Sequence, residues 1–107
     1  METNKNLIGK YINKHYHTDV VPAGKIIGTR GKTILILARA TAKRDPSWKP
    51  EIISGGFSGH CTNNYSQKHT YTVDENETYE IRWTPGKTKM GMLRLSDKPT
   101  YFYDYNF

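Results

Sequence analysis

Residues 34–38 read Ile-Leu-Ile-Leu-Ala, five apolar side chains in a row. A run this short and uniform suits a β-strand covered on both faces, because a strand sends successive side chains to opposite sides. The pattern then changes. Arg39, Thr41 and Lys43 alternate with Ala40 and Ala42, so the same strand is expected to leave the core and carry basic side chains along one side. A long strand that starts apolar and ends basic commits the chain to a sheet.

The rest of the sequence agrees with that commitment. Thr29-Arg-Gly-Lys-Thr33 is a hairpin signal ahead of the run. Before it, Val20 to Gly28 reads as a strand in which Pro22 marks an edge or an entry point. Pro46 and Pro50 bracket Trp48 and end the long strand, which leaves Trp48 as the aromatic expected on the surface. Residues 69–83 read as a hairpin: Tyr71 and Val73 share one face, Tyr79, Ile81 and Trp83 share a face of the next strand, and Asp74 to Glu77 turn between them. Tyr79 and Trp83 are the expected core aromatics. Residues 90–97 supply another short strand. In the tail, Tyr101, Tyr103, Tyr105 and Phe107 alternate with Phe102, Asp104 and Asn106, which predicts a terminal strand or clamp. No helix longer than a turn or two is expected. The fold class is therefore all-β, a small SH3-like or OB-like partly open barrel with an appended β-hairpin and a long glycine-rich loop. The 107 residues make one domain, 1–107.

Charge narrows the partner. Residues 1–50 hold ten basic and three acidic side chains, while residues 51–107 hold six and seven. The net charge of +6 thus belongs to the first half, which points to an anionic partner, with a solvated basic surface kept for solubility as the equal alternative. The mean hydropathy is −0.76, and no apolar run approaches the ~20 residues that span a bilayer. The N-terminus lacks an apolar signal core, so a cytoplasmic location and no membrane partner are expected. The single cysteine excludes an internal disulfide.

The densest chemistry lies at residues 55–67, Gly-Gly-Phe-Ser-Gly-His-Cys-Thr-Asn-Asn-Tyr-Ser-Gln. Cys61 as a nucleophile needs a base, either His17 oriented by Asp19 or His69, because adjacent His60 points to the opposite face of an extended chain. His15, His17, His60 and Cys61 are a conceivable zinc set, with poor spacing. As a ligand cradle, Gly55, Gly56 and Gly59 permit close approach, and Thr62, Asn63, Asn64 and Gln67 supply hydrogen bonds to a base edge or phosphate. The alternative is that Asn63 and Gln67 build turns and satisfy buried backbone. No Gly-Lys-Ser/Thr is present, so this is not a P-loop. Basic residues interleaved with aromatics suit stacking on bases. The candidate ligand-binding set is Arg39, Lys43, Arg44, Trp48, Gly55, Gly56, His60, Thr62, Asn63 and Gln67. No catalytic residue, metal ligand or cofactor is assigned.

Three stretches carry a resemblance: the early His-Thr-Asp at 17–19, residues 45–67 with their Asp-Pro-x-x-x-Pro-Glu and Gly-Gly-Phe-x-Gly-His-Cys-x-Asn-x-x-x-Gln patterns, and the closing Asp-Tyr-Asn-Phe. Together they resemble a group of small bacteriophage-encoded proteins. The resemblance implies a phage or prophage origin and brings no activity with it. The expectation is a phage-type binding protein for nucleic acid or a nucleotide, with antagonism of a host defence complex as one use and self-association open. The competing expectation is a small enzyme using Cys61 and a histidine on such a substrate.

Overall fold

The computed structural model describes residues 4–53 and 60–105. The strands are Tyr11–Tyr16 (β1), Asp19–Arg30 (β2), Ile34–Arg44 (β3), Ile52–Ile53 (β4), His60–Cys61 (β5), His69–Arg82 (β6), Lys89–Met90 (β7) and Leu93–Ser96 (β8). Two short 3₁₀ turns, Lys5–Leu7 and Asn64–Ser66, are the only helical segments among the described residues, and none there is long and apolar enough to cross a membrane. The chain is all-β, as its patterning requires. Six strands form one antiparallel sheet in the order β6-β3-β2-β1-β8-β7, with β4 and β5 paired apart from it. The sheet does not close, so it is at most a partly open barrel with β6 and β7 as its edges.

The long strand predicted from residue 34 onward is β3. It pairs with β2 from Ile34–Arg30 to Arg39–Gly24, and with β6 from Ile34–Arg82 to Arg44–His69. Its apolar half anchors the core, in which Leu35, Leu37, Ile12, Ile26, Leu7 and Trp83 are buried and Ile81, Met90, Leu93 and Leu95 pack around them. Trp83 is fully buried as expected, with its indole N–H on Lys87 O at 3.0 Å. Asn4, also buried, donates to Trp83 O at 2.8 Å and ties the N-terminal turn across this end.

Four expectations change. Residues 69–83 are not a hairpin. They form one 14-residue strand that pairs with β3 along both halves. The register jumps where Ala38 faces Thr78 and Arg39 faces Asp74, so Glu75, Asn76 and Glu77 form a bulge. The turn-forming residues do turn, since Asp74 accepts the Asn76 N–H at 2.9 Å, but the strand resumes on the same partner because β3 is long enough to hold both halves. Pro22 is not on an edge strand, since β2 lies between β3 and β1. It is edge-like only locally: it faces Asn13 of β1 at a slip beside Ala23, and the ladder to β3 stops at Gly24, so the missing N–H is tolerated there. Tyr79 is 39% exposed; its ring crosses the sheet and its hydroxyl donates to Ala23 O at 2.6 Å. Gly24 makes room for that crossing: a Cβ there would stand 2.8 Å from Ala38 O and 3.3 Å from the Tyr79 hydroxyl.

Trp48 is the fourth. It is buried, not exposed. Asp45 accepts both Ser47 N–H and hydroxyl, at 2.8 and 2.7 Å, and this tight turn tucks the indole inward. There it donates to Ser66 Oγ at 3.2 Å and meets the Tyr105 ring at 5.8 Å. Trp48, Cys61 and Asn64 are buried in this second region, away from the main core cluster. The molecule measures 55 × 25 × 17 Å with a radius of gyration of 16.5 Å, against about 13 Å for a compact chain of ~100 residues. That elongation is why one core does not serve both ends.

The tail is a clamp and not a ladder strand. Apart from a single bridge between Phe102 and Val20, its backbone N–H groups go to side chains: Tyr101 to Tyr71 Oη (2.8 Å), Tyr103 to Gln67 Oε1 (3.2 Å), Asp104 to Asp19 Oδ1 (2.9 Å) and Tyr105 to Asn64 Oδ1 (3.0 Å). Asn64 returns a bond to Asp104 Oδ1 at 3.0 Å. Phe107 lies outside the described residues. Asn64→Ala strands buried polar groups on both sides of this joint, so a loss on the order of 2–3 kcal/mol is expected. Urea unfolding checks this against Thr72→Ala, exposed on β6, which should stay within about 0.5 kcal/mol of the native protein. Deleting residues 101–107 should abolish cooperative melting.

Candidate functional site

Near the middle of β3 the ladder to β2 stops at the Gly24–Arg39 pair, beside a β1–β2 slip at Ala23, while on its other side β6 bulges at Glu75–Glu77. Bulges re-aim the side chains around them, and here they open a groove of about 670 Å³. This lies within the range of small-molecule sites, roughly 300–1,000 Å³. Val21, Pro22, Ala23, Ala40 and Ala42 give it an apolar lining. Around that lie Lys14 from β1, Arg39 and Thr41 from β3, Glu77, Thr78 and Tyr79 from β6, and Tyr101 from the tail. Two cations, two tyrosines and two threonine hydroxyls thus meet over small apolar side chains.

The charges are arranged unevenly. Three ion pairs form among the described residues: Lys10–Asp97 at 2.6 Å, Arg30–Glu80 at 2.7 Å and Arg39–Glu77 at 3.1 Å. All are exposed, and such pairs are worth little to stability. Their importance is local. The Arg30 guanidinium, hydrogen-bonded to Glu80, holds that carboxyl below its ordinary value. Glu77 meets Arg39 with a single bond from Nη1, leaving most of the guanidinium's donors available. Burial raises the Tyr79 phenol, while the charge of Arg39 pulls it the other way, which places both groups in one electrostatic neighbourhood. Lys14 Nζ sits 4.7 Å from the centroid of the Tyr16 ring and enters none of the three ion pairs.

Of the candidate residues, Arg39 is the one that lines this groove. Lys43 and Arg44 lie farther along β3, beside Thr70 and His69 of β6. Thr62, Asn63 and Gln67 lie in the 60–67 segment, where backbone occupies their polar atoms. Asn63 donates to Lys49 O at 2.7 Å and accepts the Glu51 N–H at 2.8 Å. Thr62 Oγ1 lies 3.3 Å from Glu51 O, and Gln67 pairs with the Tyr103 backbone through both its amide N–H and its oxygen. His60 pairs with Ile53 on the small β4–β5 sheet; Gly55 and Gly56 lie outside the described residues. Cys61 is buried and its thiol donates to Asn63 Oδ1 at 3.3 Å, a setting that suits packing more than attack on a substrate.

Of the conceivable zinc set, His15 lies on β1, which ends at Tyr16, and His17 follows it with a left-handed φ of +47°. Among the described residues, no three His, Cys, Asp or Glu side chains gather as metal ligands would. Sequence reading passed over Lys14, Thr41, Glu77 and Thr78. The signals were a proline inside a strand pattern, which marks where β2 leaves β3, and an acidic turn inside another, which marks the bulge of β6.

Comparison with known protein families, curated proteins and solved structures gives no match, so the chemistry of the groove carries the functional argument.

Next to the groove, the ring of His69 packs on Tyr101 at 4.6 Å. Its pKa is lowered from the model-compound value of 6.5, first by burial and then by the charge of Arg44; His15 is lowered by burial and by Arg94. The unfolded chain therefore binds these protons more readily than the native one. Stability is expected to fall as the pH drops through about 6.5, above the carboxylate range. Melting curves between pH 7.5 and 5.5 measure this, and His69→Gln should flatten part of the slope.

Proposed function

We propose that the protein binds an anionic ligand of nucleotide type, free or as part of a nucleic acid, in the groove over the middle of β3. The observation that supports this best is the convergence of Lys14 and Arg39 with Tyr79 and Tyr101 around one apolar lining. A nucleotide asks for that combination: cations for the phosphate, a ring face for the base, and hydroxyls for sugar or base edges. The basic excess of residues 1–50 draws such a ligand in. Glu77 opposes it by engaging one Arg39 donor and placing a negative charge beside the groove, while the remaining guanidinium donors stay available to a phosphate. For a chain of the phage type that the loop and tail motifs resemble, this activity suits withholding a nucleotide signal from a host defence system, or covering a nucleic-acid surface that system needs.

Fluorescence anisotropy with labelled nucleotides, single strands and duplexes tests the reading. Affinity should fall steeply between about 50 and 200 mM salt. Lys14→Met should weaken binding about tenfold, the effect of losing one charged contact near 1.4 kcal/mol. Glu77→Gln should tighten binding several-fold, because it frees Arg39 and removes a repelling charge. No binding at low salt, or weaker binding by Glu77→Gln, would sink the proposal.

A further inference from the structure

The groove ends at Tyr101, and the next residue continues the aromatic surface outward. Phe102 is stacked with Tyr65, with ring centroids 5.7 Å apart and planes 12° from parallel. Tyr65 is 88% exposed, so the offset Phe102 ring meets only its margin and the ring faces solvent. The turn that carries it is tied down on both sides. Tyr65 sits in the 3₁₀ turn Asn64–Ser66 between the buried Asn64, which bonds the tail at Asp104 and Tyr105, and Ser66, which bonds Asn63 O and Trp48 Nε1. An exposed aromatic ring on an anchored turn is what an unpaired base stacks on.

Cations accompany this second platform. Arg44 faces His69 across the β3–β6 ladder, and the His69 ring touches Tyr101. Lys68 precedes His69. Neither Arg44 nor Lys68 enters an ion pair among the described residues, in contrast to Arg39 with its partner Glu77. Arg44 follows Ala40 and Ala42, which line the groove, on the side of β3 opposite the Arg39 side chain, and lies five residues along the strand from Arg39, about 16 Å at ~3.3 Å per residue. A mononucleotide seated in the groove does not span that distance, whereas several linked nucleotides do.

We infer that the ligand is a single strand of nucleic acid, which enters the groove at Arg39 and Tyr101 and continues over the Tyr65–Phe102 pair, with Tyr65 as a second base-stacking position and Arg44 and Lys68 on its phosphates. The inference rests on the groove reading above and extends it from one nucleotide to several. A duplex is excluded by the same feature, since its bases are already stacked and offer no free face to Tyr65.

The test compares fluorescein-labelled thymidine 5′-monophosphate, the thymidine octanucleotide and a duplex of the same length on the full chain. The octamer should bind at least about tenfold more tightly than the monophosphate and more tightly than the duplex. Tyr65→Ala should cost the octamer about 5- to 100-fold, the range expected for one lost stacking contact, and leave the monophosphate unchanged. Tyr65→Phe should keep the octamer affinity. Arg44→Gln should lower the slope of log affinity against log salt by about one for the octamer alone. An octamer no tighter than the monophosphate, or one indifferent to Tyr65→Ala, overturns the extension while the groove stands. Failure of all three probes to bind overturns both.

Discussion

Two-sided pairing of β3 is the constraint on which the rest depends. All 11 of its residues lie along β6 on one side, and Ile34 to Arg39 also pair with β2 on the other. Backbone polar groups in a covered strand have to be paired, and β3 meets that demand with partners from both halves of the chain. Its apolar end fixes where Leu35 and Leu37 enter the core. Its basic end then has to emerge at a defined place, beside the strand that carries most of the acidic residues of the second half.

That neighbour resolves the charge asymmetry in a particular way. Glu77 and Glu80 on β6 meet Arg39 and Arg30, so pairing neutralises part of the excess where the ladder runs. Lys14, Lys43 and Arg44 enter no such pair among the described residues. The acidic side chains also serve the fold. β6 is an edge, and the charged bulge at Asp74–Glu77 discourages another chain from pairing with it. A device that protects an edge thus also shapes a groove wall.

The second end of the molecule obeys different rules. There the tail is held by the side chains of Asp19, Asn64, Gln67 and Tyr71, and the polar residues of the 60–67 segment knit loop to loop. This network positions Tyr101 at the groove and Phe102 beside Tyr65. Rigidity built from buried amides is costly to lose, which is why a loop rich in hydrogen-bonding residues can be a foundation for a binding surface without forming its lining.

Much of the fold was legible in the residues. The apolar run at 34–38, the alternation after it, the buried Trp83 and the absence of helix-length patterns each follow from short-range periodicity, and periodicity is a property of the sequence alone. The groove was legible only in part. Arg39 stood out by its place on the alternating strand, but Lys14, Glu77 and Tyr101 come from three other segments, and nothing local marks their meeting. Turn propensity at Asp74–Glu77 was read correctly as a bend and wrongly as a hairpin, because only the length of β3 decides whether a strand that bends returns to the same partner. Trp48 sits between prolines in a stretch with every local sign of a surface loop, and it is buried because Ser66 and Tyr105 arrive from elsewhere. The sequence by itself determined the strands and the apolar end of the sheet; the tertiary structure decided the bulges, the second cluster and the groove, because contacts between distant segments have no short-range signature.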